Sequence, residues 1–207
     1  MQRNVLEYLE ETVKRVPDKI AFANDKTQLT FQQFSDDIRA IGSELIRKGY
    51  QKEPVLIYMN KSPEALEGFF GVIESGCFYV PLDEEMPKRR IELIIENTKA
   101  RVIICDQENL KRVKELPFDG EIMLHEELAK KREDKEKLDK VRRTALDTDP
   151  LYVLFTSGST GMPKGVVGHH RGVIDYIDQL SAVLDFDKES VFGNQAPLYF
   201  DACMKDI

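Results

Sequence analysis

The chain has 207 residues, 42% of them apolar and 32% charged, enough to bury a sizeable core in one or two domains. Its formal net charge of −7 argues against a nucleic-acid partner held by bulk electrostatics, which would need a concentrated basic face. No apolar stretch approaches the ~20 residues that cross a bilayer, and Met1-Gln2-Arg3-Asn4 leads into an amphipathic segment instead of a signal-peptide core, so no membrane partner and a cytoplasmic location are expected.

Residues 5–15 carry the spacing of a short helix, and residues 20–24 and 28–30 read as short strands on either side of a turn at Asp25-Lys26. The next helix has the best start signal. Thr30 with Gln33 makes a capping box, Phe31, Phe34, Ile38, Ile41 and Leu45 share one face, and Gly49 is placed to stop it. That stripe lasts barely two heptads, which makes it a core face and not a coiled-coil seam. Residues 54–59 read as a buried strand, and Ser62-Pro63 caps a helix whose Leu66, Phe69, Phe70 and Ile73 face inward and which ends near Gly76. Residues 78–82 are the next strand. A helix over 87–97 and a strand over 101–105 continue an alternation that needs crossovers, so the expected fold class is α/β, with mainly parallel sheets wrapped by helices.

Residues 130–143 hold only two uncharged side chains, Leu138 and Val141, and mix both signs, which predicts a solvated helix or linker. No aromatics are interleaved there to stack bases. Beyond it, residues 151–155 read as a strand, 166–167 as a second, and 171–184 as a helix with Val173, Ile177, Leu180 and Leu184 on one side. The chain therefore divides into a first α/β subdomain over 1–129, a charged linker over 130–149 and a final segment over 150–207. Cys77, Cys105 and Cys203 are odd in number, widely separated and without metal-ligand spacing, so they are expected as buried free thiols.

The link between the last two strands narrows the chemistry furthest. It reads Thr156-Ser157-Gly158-Ser159-Thr160-Gly161-Met162-Pro163-Lys164-Gly165. Glycines at 158, 161 and 165 let the backbone close around a ligand, the hydroxyls of Thr156, Ser157, Ser159 and Thr160 offer donors, and Lys164 adds a cation, a combination suited to a polyphosphate. The alternative is a flexible surface turn. The segment misses the nucleotide-loop pattern G-x-x-x-x-G-K-[ST], because Pro163 stands at the second glycine and Gly165 at the magnesium-binding hydroxyl.

What the ten residues resemble is the phosphate-binding signature [ST]-[SG]-G-[ST]-[ST]-G-x-P-K-G of the adenylate-forming enzymes: acyl-CoA synthetases, luciferases and the adenylation domains of nonribosomal peptide synthetases. Leu29-Thr30-Phe31-Gln32-Gln33-Phe34 is similar to the family's early L-[TS]-Y-x-E-L element. Ser75-Gly76-Cys77-Phe78-Tyr79-Val80-Pro81-Leu82-Asp83 is similar to the K-A-G-x-A-Y-V-P-[IL]-D element of amino-acid-activating members, with substitutions at its start and at Phe78. The resemblance spans almost the whole chain but only the front of a family whose members run to several hundred residues.

The resemblance implies that a substrate carboxylate attacks the α-phosphate of ATP, that pyrophosphate leaves, and that an acyl-adenylate passes to a thiol. Thr156, Ser157, Gly158, Ser159, Thr160, Gly161 and Lys164 would hold the ATP phosphates, with Lys164 as the catalytic cation and Mg2+ sharing the charge. Pro197-Leu198-Tyr199-Phe200-Asp201-Ala202-Cys203 is similar to the F-D-x-S block of amino-acid-activating members, with Cys203 for the usual serine. It implies that Asp201 pairs with the α-ammonium of an amino-acid substrate, whereas an isolated Asp there would cap a helix starting at Ala202. His169 and His170 are expected to serve the start of the following helix or the surface.

The expected parent is an amino-acid adenylation enzyme that loads the phosphopantetheine arm of a carrier protein. A D-alanine carrier-protein ligase, a general acyl-CoA synthetase and a noncatalytic module that keeps the fold stand as alternatives. Residues 150–207 would supply the phosphate loop and the start of the substrate pocket. The chain alone is expected to be inactive and, with strand edges exposed, to self-associate.

Overall fold

The computed structural model describes residues 2–156, 162–184, 186–187 and 189–207. Helix α1 (Leu6–Arg15) leads into an antiparallel pair, β1 (Ile20–Ala23) and β2 (Gln28–Thr30). The main body alternates thereafter: α2 (Phe31–Arg47), β3 (Pro54–Tyr58), α3 (Pro63–Glu74), β4 (Phe78–Leu82), α4 (Lys88–Thr98) and β5 (Val102–Cys105). It continues with α5 (Leu110–Lys114), β6 (Glu121–Leu124), α6 (His125–Leu128), α7 (Lys135–Thr144), β7 (Pro150–Thr156), β8 (Lys164–His169), α8 (His170–Leu184) and a 3-10 turn, Asp201–Lys205.

Six strands form one sheet in the order β6-β5-β3-β4-β7-β8, with every neighbouring pair parallel except the antiparallel pair β7–β8. Parallel pairing follows from the helical crossovers, which return the chain to the same end of the sheet. Alternate residues of each strand face opposite sides. Val55, Ile57, Tyr79 and Ile104 bury against Ile38, Ile41, Leu45, Phe69 and Val72 of α2 and α3, where the rings of Phe69 and Tyr79 stack at 4.3 Å. Leu56, Tyr58, Val80, Leu82 and Ile103 bury against Ile91, Ile94 and Ile95 of α4 on the other side. Each such side chain contributes about 1.5–3 kcal/mol by leaving water. The sheet is thus wrapped by helices, as the alternation predicts.

The start signals work as the sequence indicates. The Thr30 hydroxyl accepts from the Gln33 amide at 3.2 Å while the Gln33 side chain accepts from the Thr30 amide at 2.9 Å, and Ser62 caps α3 by accepting from Ala65. Gly49 and Gly76 follow their helices at φ 84° and 77°, a region that side chains disfavour. The three cysteines are buried and free. Among the described residues no helix is long and apolar enough to cross a membrane.

Several features differ from the sequence reading. Strand β6, with α5 and α6 around it, has no alternating pattern of its own; it is an edge strand of four residues, recognised only by its parallel register with β5. Residues 135–144 form a helix that docks through buried Leu138, with Arg142 reaching Glu74 of α3. On α8 the buried residues are His170 and Ile174, whereas Leu184 is 52% exposed. The expected stripe faces the body of the protein at Val173, Ile177 and Leu180, which are half-buried with Val173 packed against the core, and only its end at Leu184 is left uncovered. Periodicity identifies an apolar side, but the docking partner selects which part of it is covered.

Candidate functional site

Because β3, β4, β5 and β7 are parallel, their carboxyl ends lie along one edge of the sheet, the position where open α/β sheets receive ligands. Strand β7 reaches that edge at Thr156, and β8 leaves it at Lys164. The two residues are opposite each other in the antiparallel register, with the Thr156 hydroxyl 3.5 Å from the Lys164 carbonyl oxygen. Ser157, Gly158, Ser159, Thr160 and Gly161 lie outside the described residues. Lys164 is exposed and its ammonium makes no ion pair with a described residue, leaving a cation at the mouth of the hairpin. Pro163 beside it is buried, which anchors the approach to β8.

Gly165 serves packing more than it serves a ligand. It faces Phe155 across the ladder, and a β-carbon there would sit 2.8 Å from Val153 Cγ1. Gly168 does the same under Tyr152, whose ring occupies the space a side chain would need. Both glycines of Lys164-Gly165-Val166-Val167-Gly168-His169 are thus explained by large side chains on β7.

Farther down the same hairpin, a cavity of about 390 Å3 is lined by Tyr152, Gly168, His169, Tyr176, Asp201 and Met204 among others. At a rise of roughly 3.3 Å per residue, Gly168 lies about 13 Å from Lys164 along β8. Asp201 opens the 3-10 turn, but the residue in the capping position is Phe200 and no side-chain cap bond forms, so the helix-cap role is not realised. The Asp201 carboxylate is exposed to the cavity and makes no ion pair with a described residue. Burial, and then the Asp201 charge, push the Tyr152 phenol above its ordinary range. Hence Thr156 and Lys164 are adjacent at one end of the hairpin, while Asp201 stands apart in the cavity at its side.

The histidines take structural positions. His169 Nδ1 accepts from the Gly172 amide at 3.1 Å, capping α8, and its side chain also forms part of the cavity wall. His170 is buried and its Nδ1 accepts from the Val5 amide at 3.3 Å, tying α8 to α1. Burial pushes His170 down to about 4. Tyr152, Tyr176 and Met204 were not singled out by sequence; the signal for Tyr152 was its polar hydroxyl within an otherwise apolar strand. Among the described residues no group of three or more His, Cys, Asp or Glu could hold a metal ion.

Against known proteins, the profile described as AMP-binding enzyme matches residues 9–207. The chain is 28% identical over 206 residues to gramicidin S synthase 1 of Brevibacillus brevis, covering 99% of the chain and 18% of the relative. It is 33% identical over 199 residues to gramicidin S synthase 2 of the same organism, covering 96% of the chain and 4% of the relative. Its fold is similar to that of the nonribosomal peptide synthetase FmoA3 in its α-methyl-L-serine-AMP bound form, with a TM-score of 0.85, 22% identity, and coverage of 97% of the chain and 22% of that structure. It is also similar to VinN in complex with L-aspartate, with a TM-score of 0.83, 20% identity, and coverage of 99% and 59%. The chain thus spans less than a fifth of the length of these two curated relatives.

Proposed function

Since the chain belongs to the family of AMP-binding enzymes, we propose that it supplies the phosphate-holding hairpin and part of the substrate pocket of an ATP-dependent amino-acid-activating enzyme. In the reaction a carboxylate oxygen of the amino acid forms a bond to the α-phosphorus of ATP as the bond to the β-phosphate oxygen breaks. Pyrophosphate carries away the electron pair, and an aminoacyl-adenylate remains for transfer to the phosphopantetheine thiol of a carrier protein. The substrate is its own nucleophile, so the protein contributes position and charge.

The observation that carries this reading is a cation at the tip of the β7–β8 hairpin and a carboxylate in the cavity at its side. Lys164 and Thr156 sit at the tip, where the β- and γ-phosphates would rest, and residues 157–161 between them would add amides and hydroxyls. Asp201 sits in the cavity alongside, a carboxylate that makes no ion pair with a described residue and is suited to an α-ammonium group. Magnesium would arrive with the nucleotide, because the described residues offer no ligand cluster; it would share the phosphate charge with Lys164.

The test is pyrophosphate exchange into ATP by the complete reading frame that encodes this chain, across a panel of amino acids and simple carboxylates. Exchange that depends on one or a few amino acids is expected. Exchange with fatty or aryl acids and none with amino acids overturns the Asp201 role, and ATP binding without exchange assigns the fold to a noncatalytic module.

A further inference from the structure

We propose that Arg90 is a positioning residue for the phosphate hairpin, its guanidinium clamping the Phe155 carbonyl at the stem from which residues 156–164 spring. The inference rests on the phosphate-holding reading above and adds a residue to it. Arg90 lies in the first turn of α4, a helix fixed on the sheet by Ile91, Ile94 and Ile95. Its Nη2 donates to the Phe155 carbonyl oxygen at 2.6 Å, in a partly buried setting. Phe155 immediately precedes Thr156.

Such a bond is needed at that point because strand pairing ends short of it. Strand β4 meets β7 only at Tyr79 and Tyr152. In a continuing parallel register Leu82 would face Phe155, but the ladder does not reach there, and Pro81 on the way has no N–H to donate. On its other flank β7 is held by β8, whose own outer edge is open in the order β6-β5-β3-β4-β7-β8. The hairpin tip is therefore secured toward the core of the sheet by a side chain from α4 in place of a strand. Arginine suits this role, since its rigid planar fork makes a charge-assisted bond to a carbonyl at low ordering cost.

The same guanidinium lies near the segment that carries Asp201. The Tyr199 phenol is raised chiefly by burial, then by Asp83 and Glu85, and Arg90 opposes that rise. Tyr199 also packs against the α4 side of the sheet. Arg90 thus sits at the stem of the hairpin, close enough to the turn before Asp201 for its charge to be felt at Tyr199.

Amide hydrogen exchange of the 207-residue chain tests this with Arg90→Gln, Arg90→Lys and the exposed neighbour Arg89→Gln. Without nucleotide, Arg90→Gln is expected to speed exchange of amides in 153–156 and 164–167 by about tenfold, the factor for one lost charge-assisted hydrogen bond. Amides of α2 and β5 should keep their rates, Arg90→Lys should restore most of the protection, and Arg89→Gln should match the parent chain. Unchanged rates at the stem, or equal acceleration everywhere, overturn the positioning role. Titration with magnesium ATP supplies the second arm. The parent chain should gain protection at the same amides and Arg90→Gln should need about tenfold more nucleotide for half the effect; an unshifted titration overturns the inference. No protection of the parent chain overturns the phosphate-holding reading, whereas the stem rates without nucleotide still decide whether Arg90 clamps Phe155.

Discussion

Lys164 at the tip of the β7–β8 hairpin and Asp201 in the cavity at its side carry opposite charges, and neither is neutralised by a described residue. A free cation and a free anion held apart on a rigid frame fit a ligand that is itself dipolar along its length. In the proposed enzyme, Asp201→Asn removes a charged partner of the substrate ammonium and leaves the nucleotide contacts in place. The amino-acid KM in the exchange assay is expected to rise roughly ten- to a hundredfold, the range for losing a hydrogen bond to a charged group, with the ATP dependence unchanged. A parallel rise in the ATP KM would mean that Asp201 supports the fold and not the substrate. Gly168 sets the neighbouring wall. A β-carbon there overlaps the Tyr152 ring, so Gly168→Ala must push that ring toward the cavity or displace β8. We expect a loss of about 1–3 kcal/mol by denaturant unfolding, and an unaltered midpoint would show that β8 yields without cost.

At the scale of the elements, the close crossing of α2 and α3 brings ionisable groups together in the interior. A β-carbon on Gly42 would lie 3.0 Å from the Gly71 carbonyl oxygen, and one on Gly71 2.5 Å from Ile41 Cγ2, so the two helices approach to backbone distance. Near this crossing Glu67 and His125 are buried, with His125 Nε2 2.8 Å from Glu67 Oε2, and the other carboxylate oxygen of Glu67 accepts from no N–H or hydroxyl of the described residues. Asp37 of α2 supplies the explanation. Burial, then its hydrogen bond with Glu67 and the Glu67 charge, push Asp37 up to about 7 against an ordinary 3.8, with His125 opposing. Two carboxyl groups can share a hydrogen bond only if one keeps its proton. Folded Asp37 therefore holds a proton that the unfolded chain has released, and its contribution is present below about pH 4 and lost as pH rises through 7. His170 acts in the opposite sense: held near 4, it is neutral in the fold, and its contribution present above 6.5 is lost as pH falls. Denaturant unfolding across pH should show a shallower decline toward neutrality in Asp37→Asn than in the parent chain. Parallel pH curves would remove the shared proton.

These same elements show what the sequence made readable. Thr30 with Gln33 and Ser62 with Pro63 announce α2 and α3 because their bonds are local, made within three residues. The Lys164 and Asp201 stations were readable because loop chemistry and a short block carry them. Strand β6 and the walls Tyr152 and Tyr176 were not, because each is defined by a partner distant in the chain. The Arg90 bond to Phe155, across 65 residues, belongs to the same class.

For the whole molecule, the sheet is unevenly finished. On one side it ends at β6, with Glu121 paired to Lys48 at 2.5 Å and charged groups around it, the kind of edge that resists strand addition. On the other side it ends at β8, where Val166 is 55% and Val167 56% exposed, so successive residues leave both faces of the edge bare. Helix α8 extends the apolar surface with Val183 at 78% and Leu184 at 52%, because the bonds that tie it to α1 lie at its start and middle, through His170 to Val5 and through Asp178, which accepts from the Tyr8 hydroxyl at 2.6 Å. An open edge with unused backbone donors and exposed valines is a template for another strand. The isolated chain should therefore associate with rising concentration, and sedimentation velocity over a hundredfold range should show the weight-average coefficient climbing. Val166→Lys places a charge on that edge at an exposed residue outside the lining of the Asp201 cavity and outside the core, so it should return the chain toward a monomer while leaving its thermal midpoint nearly unchanged. A parent chain that stays monomeric throughout, or a Val166→Lys chain that associates equally well, would mean that β8 is not the adhesive edge.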